Sequence, residues 1–426
     1  MQQDFKRQKV EPIVPTARWG QSMNVCQTGG LLMYGGESDE GYGKALRDAN
    51  LLSKDFTWSL PDQHPTIRRV WHTATTIPHL NALFVFGGES YNTSETPEIL
   101  GNSMVLDMHQ NIFYPPATTG KGPGKRSGHA ACLIHDDIII FGGIARRSWL
   151  GDMYALNIKT WKWRLVNCLT SSSSKSSATS SAAAASTAST AWSLQHPGFC
   201  MDPANIPKPR SYSTFTSLKD GRALLFGGNN DDQSFNACEI LDTTRGQQWR
   251  WVQPTTSGTP PSKRTGHAAT HLTRTNGHSA VLVHGGWDPQ NQNDVGSQLQ
   301  TFSDCFVLDV ETMVWSSVVF HQLEISRVGH SICFLEETRQ IVVYGGQGNI
   351  PQSERHSDFR VLDYDTEVQV VAVQPKKAKR IKKQAKKAGL PQMAGGVSGE
   401  GGGGGGGGGS DVVSNAEKVK GKERET

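Results

Sequence analysis

Six times along this chain, an apolar segment ends in a pair of glycines. The pairs begin at residues 35, 87, 142, 227, 285 and 345, so successive copies lie about 50 to 60 residues apart, except for one gap of 85 residues. Self-similarity at this period is typical of propellers and solenoids, in which each copy is one structural unit. A glycine pair at the end of a strand permits a left-handed backbone and a close approach that a Cβ would block. The paired glycines are Gly35, Gly36, Gly87, Gly88, Gly142, Gly143, Gly227, Gly228, Gly285, Gly286, Gly345 and Gly346.

The same flanking residues recur around each glycine pair. An arginine precedes the apolar segment, and in four copies a histidine follows this arginine after three residues. Behind the glycine pair come a loop, a segment that ends in Leu-Asp or a related dipeptide, and a large aromatic residue. The tryptophans assigned to this aromatic position are Trp58, Trp163, Trp249 and Trp315. We therefore predict four short strands in each copy, named A to D in chain order, and hence the blades of a β-propeller.

These flanks resemble the kelch repeats of galactose-oxidase-like propellers. The resemblance covers residues 16–374 and implies an all-β, six-bladed ring whose blades pack on each other through the recurrent aromatic residues. Residues 170–205 are expected to form a largely disordered Ser/Ala-rich insertion between blades 3 and 4, and residues 375–426 a disordered tail. How the ring closes is left open. The sixth copy lacks the aromatic residue, and the N-terminal segment, residues 1–15, is a candidate to add a strand to the last blade.

Strand direction divides the connections between two faces. The B–C and D–A connections share one face, which we call the loop face, and they are mostly long and unequal. The A–B and C–D turns share the opposite face and are short. Because long, variable loops on a rigid scaffold usually carry binding, we predict that the loop face binds partners. With the kelch resemblance, this favours a non-catalytic protein-interaction scaffold or adaptor.

Arginine is the main candidate residue for partner binding. Six arginines open strand A at the edge of the loop face, where a ring of guanidinium groups would suit an acidic peptide segment. The competing interpretation is structural, because this arginine belongs to the kelch pattern itself. Three further arginines are not required by the repeat. The candidate residues are Arg18, Arg69, Arg126, Arg210, Arg264, Arg327, Arg68, Arg146 and Arg147.

No residue pattern indicates catalysis. The recurrent strand-A histidines belong to the kelch pattern, and we interpret them as hydrogen-bonded structural residues rather than metal ligands. No Walker loop, nucleophile elbow or dinucleotide motif is present. The seven cysteines form no Cys-x-x-Cys pair and are expected to be buried thiols. We predict no enzymatic activity, no metal and no cofactor, with a kelch-type enzyme that holds a metal or small molecule in the channel as the alternative.

Charge is concentrated in the tail. Residues 375–426 contain 12 Lys and Arg but only 5 Asp and Glu; because the whole chain carries +4, residues 1–374 carry −3. The basic cluster is typical of nuclear targeting or of nucleic-acid binding, and a nuclear factor with an RNA-binding tail is a second alternative. Its residues are Lys376, Lys377, Lys379, Arg380, Lys382, Lys383, Lys386 and Lys387. With no signal-peptide core and no membrane-spanning run, we expect a nuclear or cytoplasmic protein that is not secreted and binds no membrane. The partner and the oligomeric state are not specified by the sequence.

Overall fold

The computed structural model describes residues 14–39, 44–60, 67–91, 96–110, 112–166, 205–245, 249–291, 300–349, 355–367 and 369–370. Their regular structure is almost entirely β, and it forms six antiparallel blades. Strands A to D are Ser22–Val25, Leu31–Tyr34, Ala49–Leu52 and Trp58–Ser59 in blade 1, and Thr73–Ile77, Ala82–Phe86, Ser103–Asp107 and Ile112–Tyr114 in blade 2. They are Ala130–Ile134, Asp137–Phe141, Met153–Asn157 and Lys162–Val166 in blade 3, and Thr214–Ser217, Arg222–Phe226, Cys238–Asp242 and Arg250–Val252 in blade 4. Blade 5 contains Ala268–Thr273, Ser279–His284, Cys305–Asp309 and Val314–Val319.

Blade 6 is the blade whose fourth strand the sequence left open. Within the described residues it has three, Ser331–Leu335, Gln340–Tyr344 and Phe359–Asp363. A short helix, Tyr364–Glu367, follows strand C, and the next strand, Gln369–Val370, pairs with strand D of blade 5 instead of with blade 6. Residues 1–13, which include the candidate closing strand, lie outside the described residues.

Short elements complete the fold. Three hairpins lie in B–C loops, and Ser257–Gly258 runs parallel to strand D of blade 5. The hairpin strands are Glu37–Ser38 with Lys44–Ala45, Glu89–Tyr91 with Pro97–Ile99, and Ile144–Ala145 with Ser148–Trp149. Pro78–Leu80 and His321–Leu323 are single 3-10 turns. Among the residues that the structure covers, no helix is long and apolar enough to cross a membrane.

A closed circle of backbone hydrogen bonds completes the ring. In every blade, the residue two positions after the strand-A arginine donates its N–H to the carbonyl of the equivalent residue in the preceding blade, at 2.7–3.0 Å. These residues are Gly20, Trp71, Gly128, Tyr212, Gly266 and Gly329, all with positive φ. The bond from Gly20 to Gly329, 2.8 Å, joins blade 1 to blade 6. The predicted six-bladed propeller is therefore confirmed.

Aromatic pairs link successive blades as predicted. The strand-D aromatic of one blade packs against the aromatic residue at the end of strand B in the preceding blade, as Trp163 does on Phe86 with ring centroids 5.9 Å apart. The assignment of Trp249 to this position was wrong, because Trp251 is the residue paired with the strand-C leucine in blade 4. The turn before strand D is longer there, so counting from Leu-Asp selected Trp249. That residue is also buried, next to Arg164.

Buried thiols fill positions in the blades. The five described cysteines, Cys26, Cys132, Cys238, Cys305 and Cys333, are all buried and free. Burial raises the pKa of each of these thiols, to about 11 for Cys26 and about 12 for Cys238 and Cys333. At neutral pH they are protonated and behave as small apolar side chains, as the sequence predicted for them.

Candidate partner-binding face

The six strand-A arginines lie inside the blades. Their exposed fractions are 0–1%. In each blade a guanidinium nitrogen donates to the carbonyl of the first glycine of the pair, at 2.8–3.3 Å. In five blades the same guanidinium binds a carboxylate next to the start of strand C; these acids are Asp48, Asp152, Glu239, Asp304 and Asp358. The arginines thus fasten the two ends of the B–C loop, and their binding of a partner stays a prediction.

The strand-A histidines connect neighbouring blades. All four are buried, and each Nε2 lies 2.8–3.0 Å from a side chain of the preceding blade. The pairs are His72 with Ser22, His129 with Thr73, His267 with Thr214, and His330 with His284. Burial lowers the pKa of these imidazoles, to about 3 for His267. The neutral rings therefore occupy structural positions between blades.

The histidines also explain the glycine pairs. The first glycine of each pair has positive φ and its backbone faces the next blade. A Cβ at Gly227 would lie 2.5 Å from Cε1 of His267 and 2.8 Å from the carbonyl oxygen of Arg264. Since real Cβ atoms do not approach other atoms so closely, only glycine fits.

One cluster of possible metal ligands lies on the opposite face. His278, Asp309 and Glu311 are the only group of three such side chains that come close enough for one ion among the described residues. Arg274 already donates to Asp309 at 3.0 Å, and Glu311 accepts a backbone N–H from Ser279. The guanidinium thus occupies the place of a cation beside Asp309.

The arginines exposed on the loop face are not those of the repeat motif. Arg68, Arg146 and Arg147 are exposed there, as their positions outside the repeat pattern suggest. Arg68 donates to the carbonyl of Ala45 at 3.3 Å. The predicted basic cluster in the tail and most of the insertion at 170–205 lie outside the described residues. The three exposed arginines are therefore the candidate binding arginines that the structure leaves accessible.

The centre of the loop face is aromatic, which the sequence analysis missed. Trp71 and Tyr212 belong to the circle of six hydrogen-bonded residues with positive φ, and the centroids of their aromatic rings are 4.9 Å apart. Trp19 packs edge-on against Trp71 at 5.1 Å, and all three side chains are partly exposed. The signal was present in the sequence, since Trp71 and Tyr212 stand where the other four copies have glycine.

A cleft adjoins this aromatic centre between the loops of blades 2 and 3. Its volume is about 790 Å³. Tyr212 forms part of its wall together with apolar residues Pro97, Ile99, Ile144 and Ala145, and the charged residues around it are Glu89, Glu98, Lys125 and Arg146. Lys125 and Glu98 form an ion pair of 3.2 Å. An apolar cleft with a few charged groups at its border is the usual form of a peptide or ligand site.

Residues 49–192 and 187–322 match the family model described as the KLHDC2/KLHL20/DRC7 Kelch-repeats domain. The chain belongs to the kelch-repeat family. Kelch propellers generally bind protein partners, and they are generally non-catalytic.

Curated relatives and a solved structure share this kelch architecture. Acyl-CoA-binding domain-containing protein 5 of Arabidopsis thaliana is 26% identical over 78% of this chain and 45% of its own length. Kelch domain-containing protein 2 of Bos taurus is 24% identical over 53% of this chain and 64% of its own length. The chain thus spans less than two thirds of the length of these relatives. The structure of YjhT superposes with a TM-score of 0.58 at 14% identity, covering 84% of this chain and 99% of YjhT, and so shares the fold.

Proposed function

We propose that this kelch propeller is a non-catalytic scaffold that binds a segment of a partner protein across the loop face. The observation that carries the proposal is the aromatic centre with the adjoining cleft of about 790 Å³. Partly exposed aromatic residues at the middle of a rigid face, beside a cleft with apolar walls, are typical of the energetic centre of an interface.

The separation between repeat residues inside the propeller and variable residues on its loop face supports the same proposal. The arginines of the repeat form hydrogen bonds within a blade, and the histidines and glycine pairs make contacts between neighbouring blades. These residues therefore build the scaffold. The residues that differ between blades, among them Trp71, Tyr212 and Ile144, lie at the surface of the loop face. An acidic partner segment remains a prediction for the rim, where Arg68, Arg146 and Arg147 are exposed.

The proposal is tested by selecting peptides from a randomised library on the full-length protein and measuring their affinities by fluorescence anisotropy. We expect Ile144→Asp, in the cleft wall, to weaken the selected peptides at least tenfold. Leu80→Asp is the matched control, because Leu80 is an exposed apolar residue in an A–B turn on the opposite face. If Leu80→Asp abolishes binding and Ile144→Asp does not, the loop face is not the binding face. Failure to select any specific peptide would count against the scaffold function.

A further inference from the structure

Two aromatic residues at the channel mouth occupy positions that suit glycine. Trp71 and Tyr212 have φ values of +56° and +53°, whereas the equivalent residues in the other blades are glycines. A left-handed conformation is strained for an L-residue, and the backbone hydrogen bonds of the ring are the same with glycine. Since glycine would make the same hydrogen bonds without strain, the two aromatic side chains are the reason that the strained backbone is kept. Backbone strain of this kind is concentrated at functional sites.

Two carboxylates border these rings. Glu37 and Glu89 follow the glycine pairs of blades 1 and 2, and Tyr91 lies between them, its hydroxyl 3.2 Å from Glu37. Burial and the charges of both glutamates raise the pKa of Tyr91 to about 12. Burial and the charge of Glu89 also raise the pKa of the Tyr212 hydroxyl, so Glu89 acts on both tyrosines.

Of the two glutamates, Glu37 is paired with a cationic side chain of the protein, and Glu89 with none that the structure describes. Arg355 binds Glu37 at 2.5 Å and its guanidinium lies 5.4 Å from the ring centroid of Trp19, so carboxylate and aromatic ring hold one cation between them. Glu89 accepts a hydrogen bond from the Ser127 hydroxyl. Within the described residues, no lysine, arginine or histidine lies within 4 Å of the Glu89 carboxylate. Thus a glutamate recurs in blade 2 without the cation, and the aromatic residue that shares its cleft is Tyr212 of blade 4.

We propose that the cleft between the loops of blades 2 and 3 binds a lysine or arginine side chain from the partner segment, and this inference rests on the proposed function. Glu89 pairs with the cation, and the aromatic ring of Tyr212 contacts it, in the manner of Glu37 and Trp19 with Arg355. The alkyl part of the bound side chain packs on Ile99 and Ile144 in the cleft wall.

Charge and geometry both favour a cation here. An ammonium or guanidinium group over an aromatic face is attracted by the negative face of the ring, most strongly where water is excluded. A carboxylate nearby adds a charge-assisted hydrogen bond. The two basic residues at the cleft do not fill this position, because Lys125 pairs with Glu98 and Arg146 is exposed at the border.

The test uses butylguanidinium and butyrate, two probes of opposite charge whose alkyl chains differ by one methylene, in saturation-transfer NMR with the full-length protein. We expect saturation transfer to butylguanidinium and little to butyrate. Glu89→Gln keeps the shape of the side chain and should weaken butylguanidinium about tenfold, which corresponds to about 1.4 kcal/mol. Tyr212→Gly places at this position the residue of four other blades, and should weaken the probe to a similar degree without harm to the backbone. Leu80→Asp should leave binding of the probe unchanged.

Several outcomes overturn the inference. Equal transfer to both probes, or binding that survives Glu89→Gln and Tyr212→Gly in folded protein, excludes a cation site at Glu89. A preference for butyrate that is lost in Arg146→Ala shows instead an acidic partner. Neither result affects the proposed function if Ile144→Asp still weakens the selected peptides at least tenfold, so the two failures are distinguishable.

Discussion

Arg69 allows a direct test of how the strand-A arginines stabilise the propeller. Its counterparts bind a carboxylate next to strand C, but in blade 2 this residue is Asn102, whose Oδ1 is 3.4 Å from Nη2 of Arg69. Arg69 is fully buried, and burial lowers the pKa of its guanidinium. A carboxylate at position 102 would compensate the buried charge, so we expect Asn102→Asp to stabilise the protein.

The size of the effect follows from the equivalent contacts. Arg126 donates to both oxygens of Asp152, at 2.7 and 3.0 Å. A hydrogen bond to a charged group contributes about 1.5–3 kcal/mol, but Asp152 is 35% exposed and water screens part of the interaction. We therefore expect the free energy of unfolding to rise by about 1–2 kcal/mol. The pair depresses the pKa of the new aspartate, so the gain is present at pH 7 and is lost as the pH falls below about 4.

The assay is urea unfolding followed by tryptophan fluorescence and by circular dichroism, with coincident transitions as the criterion for comparing free energies. Asp304→Asn makes the reverse change beside Arg264 and should lower the free energy of unfolding by about 1–3 kcal/mol. Asn276→Asp, in an exposed turn, controls for the change of net charge and should stay within about 0.5 kcal/mol. If Asn102→Asp gives no gain and Asp304→Asn no loss, the carboxylates do not stabilise the arginines and the reasoning is refuted.

Three further predictions concern the contacts between blades. His267 and His284 are buried and their pKa values are lowered to about 3, so only the unfolded chain binds protons at these residues as the pH falls below 6.5. Each histidine should therefore lower the free energy of unfolding by about 2 kcal/mol between pH 7 and pH 5. A urea midpoint that stays constant over this range would contradict the prediction. Gly227→Ala should destabilise by about 2–4 kcal/mol through its contact with His267, whereas Gly277→Ala, which also has positive φ but open space around it, should cost about 1 kcal/mol in the same urea assay. Cys132 should resist iodoacetamide in the native protein and react in urea, as measured by site-resolved mass spectrometry; rapid native labelling would show that its blade opens.

Most of the fold was predictable because the repeat contains it. One glycine pair with its flanks specifies a blade, and six copies specify the number of blades, the direction of the strands and the face on which each loop lies. The spacing rule failed in blade 4, where a longer turn moved the aromatic position from Trp249 to Trp251. For blade 6 the sequence left the fourth strand open, and the described strand Gln369–Val370 pairs with blade 5.

Other relations needed the tertiary structure. The sequence shows two irregularities, His284 in place of an aromatic residue at the end of strand B in blade 5, and no aromatic residue for strand D of blade 6. In the other blades these two positions form a contact between neighbours, as Trp315 does with Phe226. Since both halves are missing at one interface, His284 bonds to His330 instead, at 2.8 Å.

By itself, the sequence determined the blade, because glycine pairs, arginines and strand periodicity act through local backbone geometry and close neighbours in the chain. It did not determine which polar side chains are bonded inside the protein and which are accessible to a partner, since that depends on groups brought together around a closed ring. Only the ring buries all six arginines, places Trp71 beside Tyr212 from another blade, and gives Glu37 the cation of Arg355. The tertiary structure therefore shifted the candidate site from the repeated arginines to the aromatic centre and Glu89.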